Sequence, residues 1–276
     1  MMAARWLVPV LALGLLVGCR DVVLESSWRA KRITIDGRDG EWGEKYFFEK
    51  EGAIVGVAND ETHFYLFLST TDRNLQVKLL RQGFTASFDP GGGKKTHFGV
   101  HYPLGLSTDD VWLLAESLRG GRDLSASTMP GAGPQINPEM VEAMYAAVME
   151  EAKMEILGGS VRDRWVVPVA EVPEMEVALA YAEKKLVYEL KVPLARIERE
   201  EYRVGIGATA AKPVGIGLLT PELDMRRRQR DRDPRVGGLG MRGGGYGGYG
   251  RRQGVGIFRE VMQPLQLWAK VSLAER

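Results

Sequence analysis

Short runs of alternating apolar and polar residues, joined in pairs by turns, restrict the fold of this chain most strongly. Residues 53–58 (AIVGVA) are rich in β-forming side chains, residues 59–61 (NDE) favour a turn, and residues 63–68 (HFYLFL) resume the β pattern. This arrangement predicts a β-hairpin. Because strands recur in hairpins and no alternation of strands with long helices is present, we expect a mainly β protein. The specific expectation is an antiparallel β-sandwich of the jelly-roll or immunoglobulin type.

Several other segments have the same strand-forming pattern. Residues 182–184 join two of them and predict a second hairpin. The last predicted strand follows an Arg/Gly-rich segment. We therefore expect one domain, 31–276, in which that segment is an internal loop and not a tail. The additional predicted strands lie at 32–36, 84–88, 96–102, 176–181, 185–192, 202–209, 214–219 and 264–273.

The N-terminal segment has the pattern of an export signal. Arg5 precedes an apolar run at 6–17, which as a helix would reach about 18 Å and is too short for a hydrocarbon core of about 30 Å. Cys19, the only cysteine, ends the run LVGC. This run resembles the lipobox of bacterial lipoproteins and matches it at all four positions.

The lipobox resemblance implies a signal peptide at 1–18, lipid attachment at Cys19 and a tether at 19–30. Two or three acyl chains would then anchor the protein firmly in a membrane. Arg20, in place of an aspartate, implies the outer membrane if the organism has two membranes. The alternative is an ordinary secretion signal followed by a chance cysteine.

Composition excludes several classes of protein. The net charge of +1 argues against an overall attraction to nucleic acid. One cysteine permits no intrachain disulfide. No later stretch is long and apolar enough to form a membrane helix, so we expect a soluble body held by its anchor.

One segment in the middle of the chain is typical of a helix. Asn137, Pro138 and Glu139 provide an N-cap, a proline at the first helical position and an acidic first turn. Apolar residues then recur near helical spacing, so we predict an amphipathic helix inserted at about 137–157. Its methionines either line a binding groove or pack on the sheet or a lipid-proximal surface.

Residues 225–256 are low in complexity and rich in glycine. Such a composition buries little apolar surface, so we predict a flexible, disordered loop. From Arg226 to Arg252 nine arginines face two aspartates. This charge suits a solvated loop, or contact with anionic lipid headgroups or polysaccharide. In an exported protein we expect no nucleic-acid partner.

Three segments within residues 33–103 carry a second resemblance: IDGRDGEW, AIVGVANDETHFYLFLSTTD and GFTASFDPGGGKKTHFGVHYP. They resemble family 9 carbohydrate-binding modules and their DOMON-like relatives. In those proteins an IDG…W opening leads into an ND…LYL hairpin and a strand that ends in Asp-Pro. The resemblance implies a β-sandwich and, as a ligand class, a carbohydrate or envelope glycan.

Five residues match the motifs of that family. Asp36, Gly37 and Trp42 match the opening, where we expect a turn and packing against the sandwich. Asn59 and Asp60 match the hairpin turn, where their side chains satisfy local backbone groups. The family's paired aromatic clamp on a sugar has no position that aligns in this sequence.

Sugar binding requires exposed aromatic faces beside polar side chains. Trp112, Tyr102 and Trp165 lie near predicted strand ends or loops, which makes them the candidate carbohydrate-binding residues. The alternative for each is a packing role in the core.

Two further groups could hold a cofactor. His97 and His101 lie four residues apart on a predicted strand, so both imidazoles would point to one face. They could hold a metal or haem, as in haem-binding DOMON-like relatives, or form an exposed pair without a ligand. Asp89, or Asp36 with Asp39, could serve a structural calcium that the resemblance implies, or only their own turns.

No catalytic pattern stands out. We find no spaced pair of carboxylates, no Ser-His-Asp set and no phosphate-cradling loop, so we expect no enzyme. The leading hypothesis is a lipid-anchored envelope protein that binds a glycan. The alternatives are a structural or assembly lipoprotein with a protein partner, and a haem-binding electron carrier.

Overall fold

Two β-sheets pack face to face in the computed structural model, which confirms the predicted mainly β sandwich. The expected signal peptide (1–18), Cys19 and the Arg/Gly-rich segment (225–256) lie outside the described residues. The residues that the structure describes are 22–29, 31–119, 137–209, 211–221 and 263–276.

The larger sheet has seven strands, and its edge strand β1 is parallel to its neighbour while the other pairs are antiparallel. In spatial order its strands are β1 (Val22–Glu25), β15 (Gln266–Ser272), β14 (Val214–Leu219), β6 (Thr85–Asp89), β7 (Phe98–His101), β8 (Lys153–Leu157) and β9 (Arg164–Pro168).

The smaller sheet has six strands and is built around the predicted hairpins. Its strands are β10 (Glu176–Ala182), β11 (Lys185–Pro193), β5 (His63–Thr70), β4 (Ala53–Asn59) and β2 (Ser27–Trp28), with β3 (Lys45–Phe48) also beside β4. A separate two-stranded sheet pairs β12 (Ile197–Glu198) with β13 (Arg203–Val204).

The core lies between the two sheets because alternate residues of each strand point inward. Phe64 of β5 meets Phe88 of β6 edge to face, with 5.8 Å between ring centroids. Phe84 and Tyr188 make a second such contact at 4.7 Å. All four rings are almost completely buried. Edge-to-face aromatic pairs stabilise by about 0.5–1.5 kcal/mol beyond their buried area.

In the described part of the chain three α-helices and a short 3-10 helix (Val169–Glu171) lie between the strands, where the sequence predicted one helix. The α-helices are α1 (Arg73–Gln82), α2 (Thr108–Arg119) and α3 (Pro138–Met149). Asp72 is the N-cap of helix α1, and its carboxylate accepts a hydrogen bond from the Leu75 amide at 2.8 Å.

The predicted helix 137–157 is correct at its start and wrong at its end. Asn137 caps α3 by accepting a hydrogen bond from the Met140 amide at 2.8 Å. The helix ends at Met149, and the residues that follow form β8. Met154 and Ile156 are both buried at strand spacing in β8, so the β period takes over there. Met144 is buried in the core, so this methionine packs inside the protein and does not line a binding groove.

Two strand predictions are also wrong. Residues 32–36 form a loop without strand structure, and the predicted strand 202–209 is reduced to the two residues of β13. The other predicted strands coincide with observed ones to within a few residues. Among the described residues no helix is long and apolar enough to cross a bilayer.

Much of the expected tether at 19–30 belongs to the sandwich. Residues 22–25 pair with β15 in the larger sheet, and residues 27–28 pair with β4 in the smaller one. The amide of Ser26, between them, donates to the carbonyl of Ser272 at 3.0 Å. The short VVLE run was too brief to predict a strand, because its pairing with the distant β15 decides its structure.

Candidate functional site

The IDG…W motif closes one outer face of the smaller sheet. The carboxylate of Glu189, on β11, accepts hydrogen bonds from the Asp36 amide (2.8 Å), the Gly37 amide (2.6 Å) and Trp42 Nε1 (2.5 Å). Gly37 has φ +80°, and a Cβ there would overlap that of Ala180. The motif is therefore a structural clamp, as we expected for these three matched residues.

Glu189 is the residue that makes this clamp, and sequence reasoning missed it. Glu189 is completely buried. Burial raises the pKa of Glu189 above its usual value, while the hydrogen bonds from Trp42, Gly37 and Asp36 act in the opposite direction. Trp42 packs on Phe67 with 5.2 Å between ring centroids. A glutamate inside the apolar run LVYELKV was the available signal.

The ND turn holds its own hairpin together, as predicted. Asp60 accepts hydrogen bonds from the amides of Thr62 and His63, both at 2.8 Å, and from the Tyr65 hydroxyl at 2.8 Å. Burial raises the pKa of Asp60, but these hydrogen bonds outweigh it and lower the pKa to about 2. The Asn59 amide donates to the Asp60 carbonyl at 3.3 Å within the turn, and it also binds both backbone groups of Ala274, which ties the C-terminal segment to the hairpin.

A cleft of about 500 Å³ opens at one end of the sandwich, and we call it the Trp165 cleft. The start of β7, the end of β8, the start of β9 and the β12–β13 pair surround it. Its lining includes Trp165, Tyr202 and several charged side chains. Clefts of this volume accommodate small ligands.

Two aromatic rings form one part of the cleft lining. Trp165 and Tyr202 are both half-buried, with 6.1 Å between their ring centroids and 40° between their planes. Arg199 lies 5.8 Å above the Tyr202 ring. The guanidinium of Arg199 also donates to Glu174 at 2.6 and 2.8 Å, and this hydrogen bond raises the pKa of Arg199. The Tyr202 ring is thus close to both the arginine and the tryptophan.

Polar groups of both kinds surround the two rings. Arg203 pairs with Glu198 across the small sheet at 2.8 Å, where both side chains are well exposed. Arg196, Glu200 and Glu201 are exposed on the lining. The lining therefore presents aromatic faces beside donors and acceptors, which is the chemistry needed to bind a polyhydroxylated ligand.

Of the predicted platform residues, Trp165 lies on the lining of this cleft. Tyr102 is buried, and its hydroxyl reaches Met149 Sδ at 3.7 Å, so its ring has no face open to a ligand. Trp112 lies on helix α2 instead of a strand end or loop. Tyr202 was missed because the sequence placed it at the start of a longer strand.

The two histidines of the haem hypothesis have different surroundings. The ring of His101 is buried, and its Nδ1 lies 2.8 Å from Thr85 Oγ1. A Cβ at Gly83 would lie 2.5 Å from His101 Cε1, so backbone closes that side of the ring. His97 is 46% exposed and lies 3.8 Å from Asp89. An enclosed imidazole and an exposed one do not fit a shared metal or haem.

The candidate calcium ligands are engaged by other groups. Asp89 accepts hydrogen bonds from the amides of Gly91 (2.9 Å) and Lys95 (3.0 Å) within its own turn. Asp39 pairs with Lys185 at 3.0 Å, and the hydrogen bond from this lysine lowers the pKa of Asp39. Asp36 accepts from the Arg38 amide at 3.0 Å. Within the described residues no three His, Cys, Asp or Glu side chains are grouped as a metal site requires.

Comparison with known proteins finds little that resembles this chain. No family model and no curated protein matches it. The chain is similar to the solved structure of a family 9 carbohydrate-binding module from Caldicellulosiruptor kristjanssonii in complex with glucose. It has 10% sequence identity and a TM-score of 0.30, and the alignment covers 73% of this chain and 79% of that one.

Proposed function

We propose that this protein is a lipid-anchored component of a bacterial cell envelope, in which the Trp165 cleft binds a carbohydrate or envelope glycan. The observation that carries the binding proposal is the aromatic pair of Trp165 and Tyr202 within a cleft whose rim is polar. Sugar rings stack their C–H faces on such aromatics, while their hydroxyls need donors and acceptors beside the rings.

The charge pattern of the cleft favours binding over catalysis. Two of its arginines are engaged with glutamates, Arg203 with Glu198 and Arg199 with Glu174. These ion pairs leave the basic and acidic groups of the rim nearly balanced. We therefore propose a neutral glycan as the ligand, and a protein without catalytic activity.

The anchor part of the proposal rests on the lipobox that ends at Cys19. Mass spectrometry of the full chain, purified from bacterial membranes, tests it directly. An N-terminus at Cys19 that carries a diacylglyceryl thioether supports the anchor. An unmodified Cys19, or a mature chain that begins elsewhere, would remove the anchor and the outer-membrane localisation while leaving the cleft untouched.

A panel of polysaccharides tests the binding part. We would use the chain that begins at Arg20, because it retains every described residue and lacks the anchor. Saturable binding of one glycan class, measured by calorimetry, supports the proposal. No heat of binding across cell-wall, storage and exported polysaccharides would contradict it.

A second candidate function is assembly with an envelope protein. It is favoured by a groove of about 330 Å³ between helices α2 and α3, where Leu113 is 59% exposed. Leu118 of α2 and Met149 of α3 are exposed as well. Replacing Leu113 by aspartate would release a specific envelope partner but leave glycan binding unchanged, which separates this function from the first.

A further inference from the structure

The N-terminal strand is fixed rigidly to the sandwich. Residues 22–25 pair with β15, and residues 27–28 pair with β4, so one short segment joins both sheets. The amide of Arg29 also donates to the carbonyl of Asn59 at 2.8 Å. No free spacer is present between residue 22 and the body of the domain in the part of the chain described here.

Covalent geometry then limits the distance between the anchor and the domain. Val22 follows Cys19 by three residues, and an extended chain spans at most about 3.6 Å per residue. The Cα atom of Cys19 therefore lies within about 11 Å of that of Val22. An acylated Cys19 must sit at the membrane surface, so the β1 edge must sit there too.

The Trp165 cleft lies at the opposite edge of the same sheet. Strand β1 is one edge of the seven-stranded order and β9, which carries Trp165, is the other. Six spacings of about 4.8 Å separate the two strands, or about 29 Å along the sheet. Strand β1 also runs toward the end of the sheet at which the cleft lies. Glu25 pairs with Ser272, and the register of the following strands places this end of β1 at the same end of the sheet as Asp89 and Phe98. The chain thus enters β1 from the end away from the cleft.

From these two relationships we infer that the β1 edge faces the lipid surface and that the Trp165 cleft is presented away from it. This inference rests on the proposed acylation of Cys19. The surface at the β1 edge suits contact with a bilayer interface, because Val22 and Val23 are exposed apolar side chains, 38% and 62% accessible. The cleft is then open to an envelope glycan that lies outside the membrane.

Two matched substitutions test this orientation. Val23→Cys on β1 and Val166→Cys on β9 replace strand valines that are 62% and 58% exposed, so neither disturbs the core. Because Cys19 is the only native cysteine, each introduced thiol is the only free one in the acylated protein. Each full-length variant is labelled with a small fluorophore. It is then bound to phosphatidylcholine–phosphatidylglycerol vesicles that carry a nitroxide on the lipid headgroup.

We expect strong loss of fluorescence for the probe at position 23 and none beyond the vesicle-free level for the probe at position 166. Equal quenching at both positions, stronger quenching at position 166, or no quenching at either in protein that floats with the vesicles would overturn the orientation. Failure to float, together with an unmodified Cys19, would overturn the anchor and the orientation with it. Glycan binding by the chain that begins at Arg20 depends on neither the anchor nor the orientation. The proposal of glycan binding and the inference on orientation can therefore fail separately.

Discussion

Glu189 and Trp42 lie 147 residues apart in the chain and meet through a hydrogen bond of 2.5 Å between Oε1 and Nε1. This contact connects the loop of residues 31–44 to the centre of the smaller sheet. The other carboxylate oxygen receives the amides of Asp36 and Gly37. One buried side chain thereby satisfies three donors, and the loop depends on it.

Replacing Glu189 by alanine is expected to lower the free energy of unfolding by about 3–4 kcal/mol, because three donors lose their acceptor in a poorly hydrated site. Urea unfolding followed by circular dichroism measures the change. Glu176→Ala is the matched control: this neighbouring-strand glutamate makes only an exposed pair with Lys191, and its loss should cost less than about 1 kcal/mol. Equal effects of the two substitutions would show that the clamp does not hold the loop.

Acid should weaken the hairpin through Asp60. Its pKa is about 2 in the folded protein, against its ordinary value of 3.8, so its contribution is complete above about pH 4. That contribution is lost as the pH falls toward 2, and after solvent screening it amounts to about 1–2 kcal/mol. We expect Asp60→Asn to flatten the dependence of unfolding free energy on pH between 4 and 2. An unchanged slope in that window would show that Asp60 is not the group responsible.

His101 should make the fold sensitive to mild acid in a separate window. Burial lowers the pKa of His101 below its usual value of 6.5, with Glu155 raising it and Arg164 lowering it to smaller extents. The unfolded chain therefore takes up the proton first, and the stabilisation present above pH 6.5 is lost as the pH falls through the folded pKa. Thermal unfolding between pH 7 and pH 5 measures this loss.

His101→Gln should reduce that pH dependence, since glutamine does not titrate; the remainder is expected from His63, whose pKa is also lowered by burial. His97→Gln is the control, because the side chain of His97 is 46% exposed, and it should leave the dependence intact. A pH dependence that is unchanged in His101→Gln would contradict its assignment to His101.

Local patterns in the sequence predicted most strands because the hairpins of this fold join neighbours in the chain. The pair Ala53–Asn59 and His63–Thr70 is the clearest case, where alternation and turn residues act together. The strand Val22–Glu25 could not be predicted, since its partner lies about 245 residues later and only tertiary pairing selects it. The end of the helix predicted at 137–157 was wrong for another reason. Met154 fits both the helical spacing of the residues before it and the strand spacing of β8, so the sequence pattern alone does not distinguish the two.

The candidate site was only half visible in the sequence. Trp165 could be named from its position near a predicted strand end or loop, but its neighbour Tyr202 comes from a distant segment that reaches the cleft through β12 and β13. Tyr102 looked equivalent from its position at a strand end, yet the structure buries it under Met149. Exposure of an aromatic ring is set by what packs on it, and single-sequence patterns do not contain that information.

The most direct test of the central claim compares glycan binding by three proteins in one calorimetric titration series. These are the chain that begins at Arg20, its Trp165→Ala variant and its Trp268→Ala variant; Trp268 lies on β15, away from the cleft. We predict saturable binding to one glycan class by the first protein, a loss of at least about tenfold in affinity for Trp165→Ala, equivalent to about 1.4 kcal/mol, and unchanged affinity for Trp268→Ala. Binding that survives Trp165→Ala, or no binding by the unsubstituted chain, would contradict the assignment of the cleft.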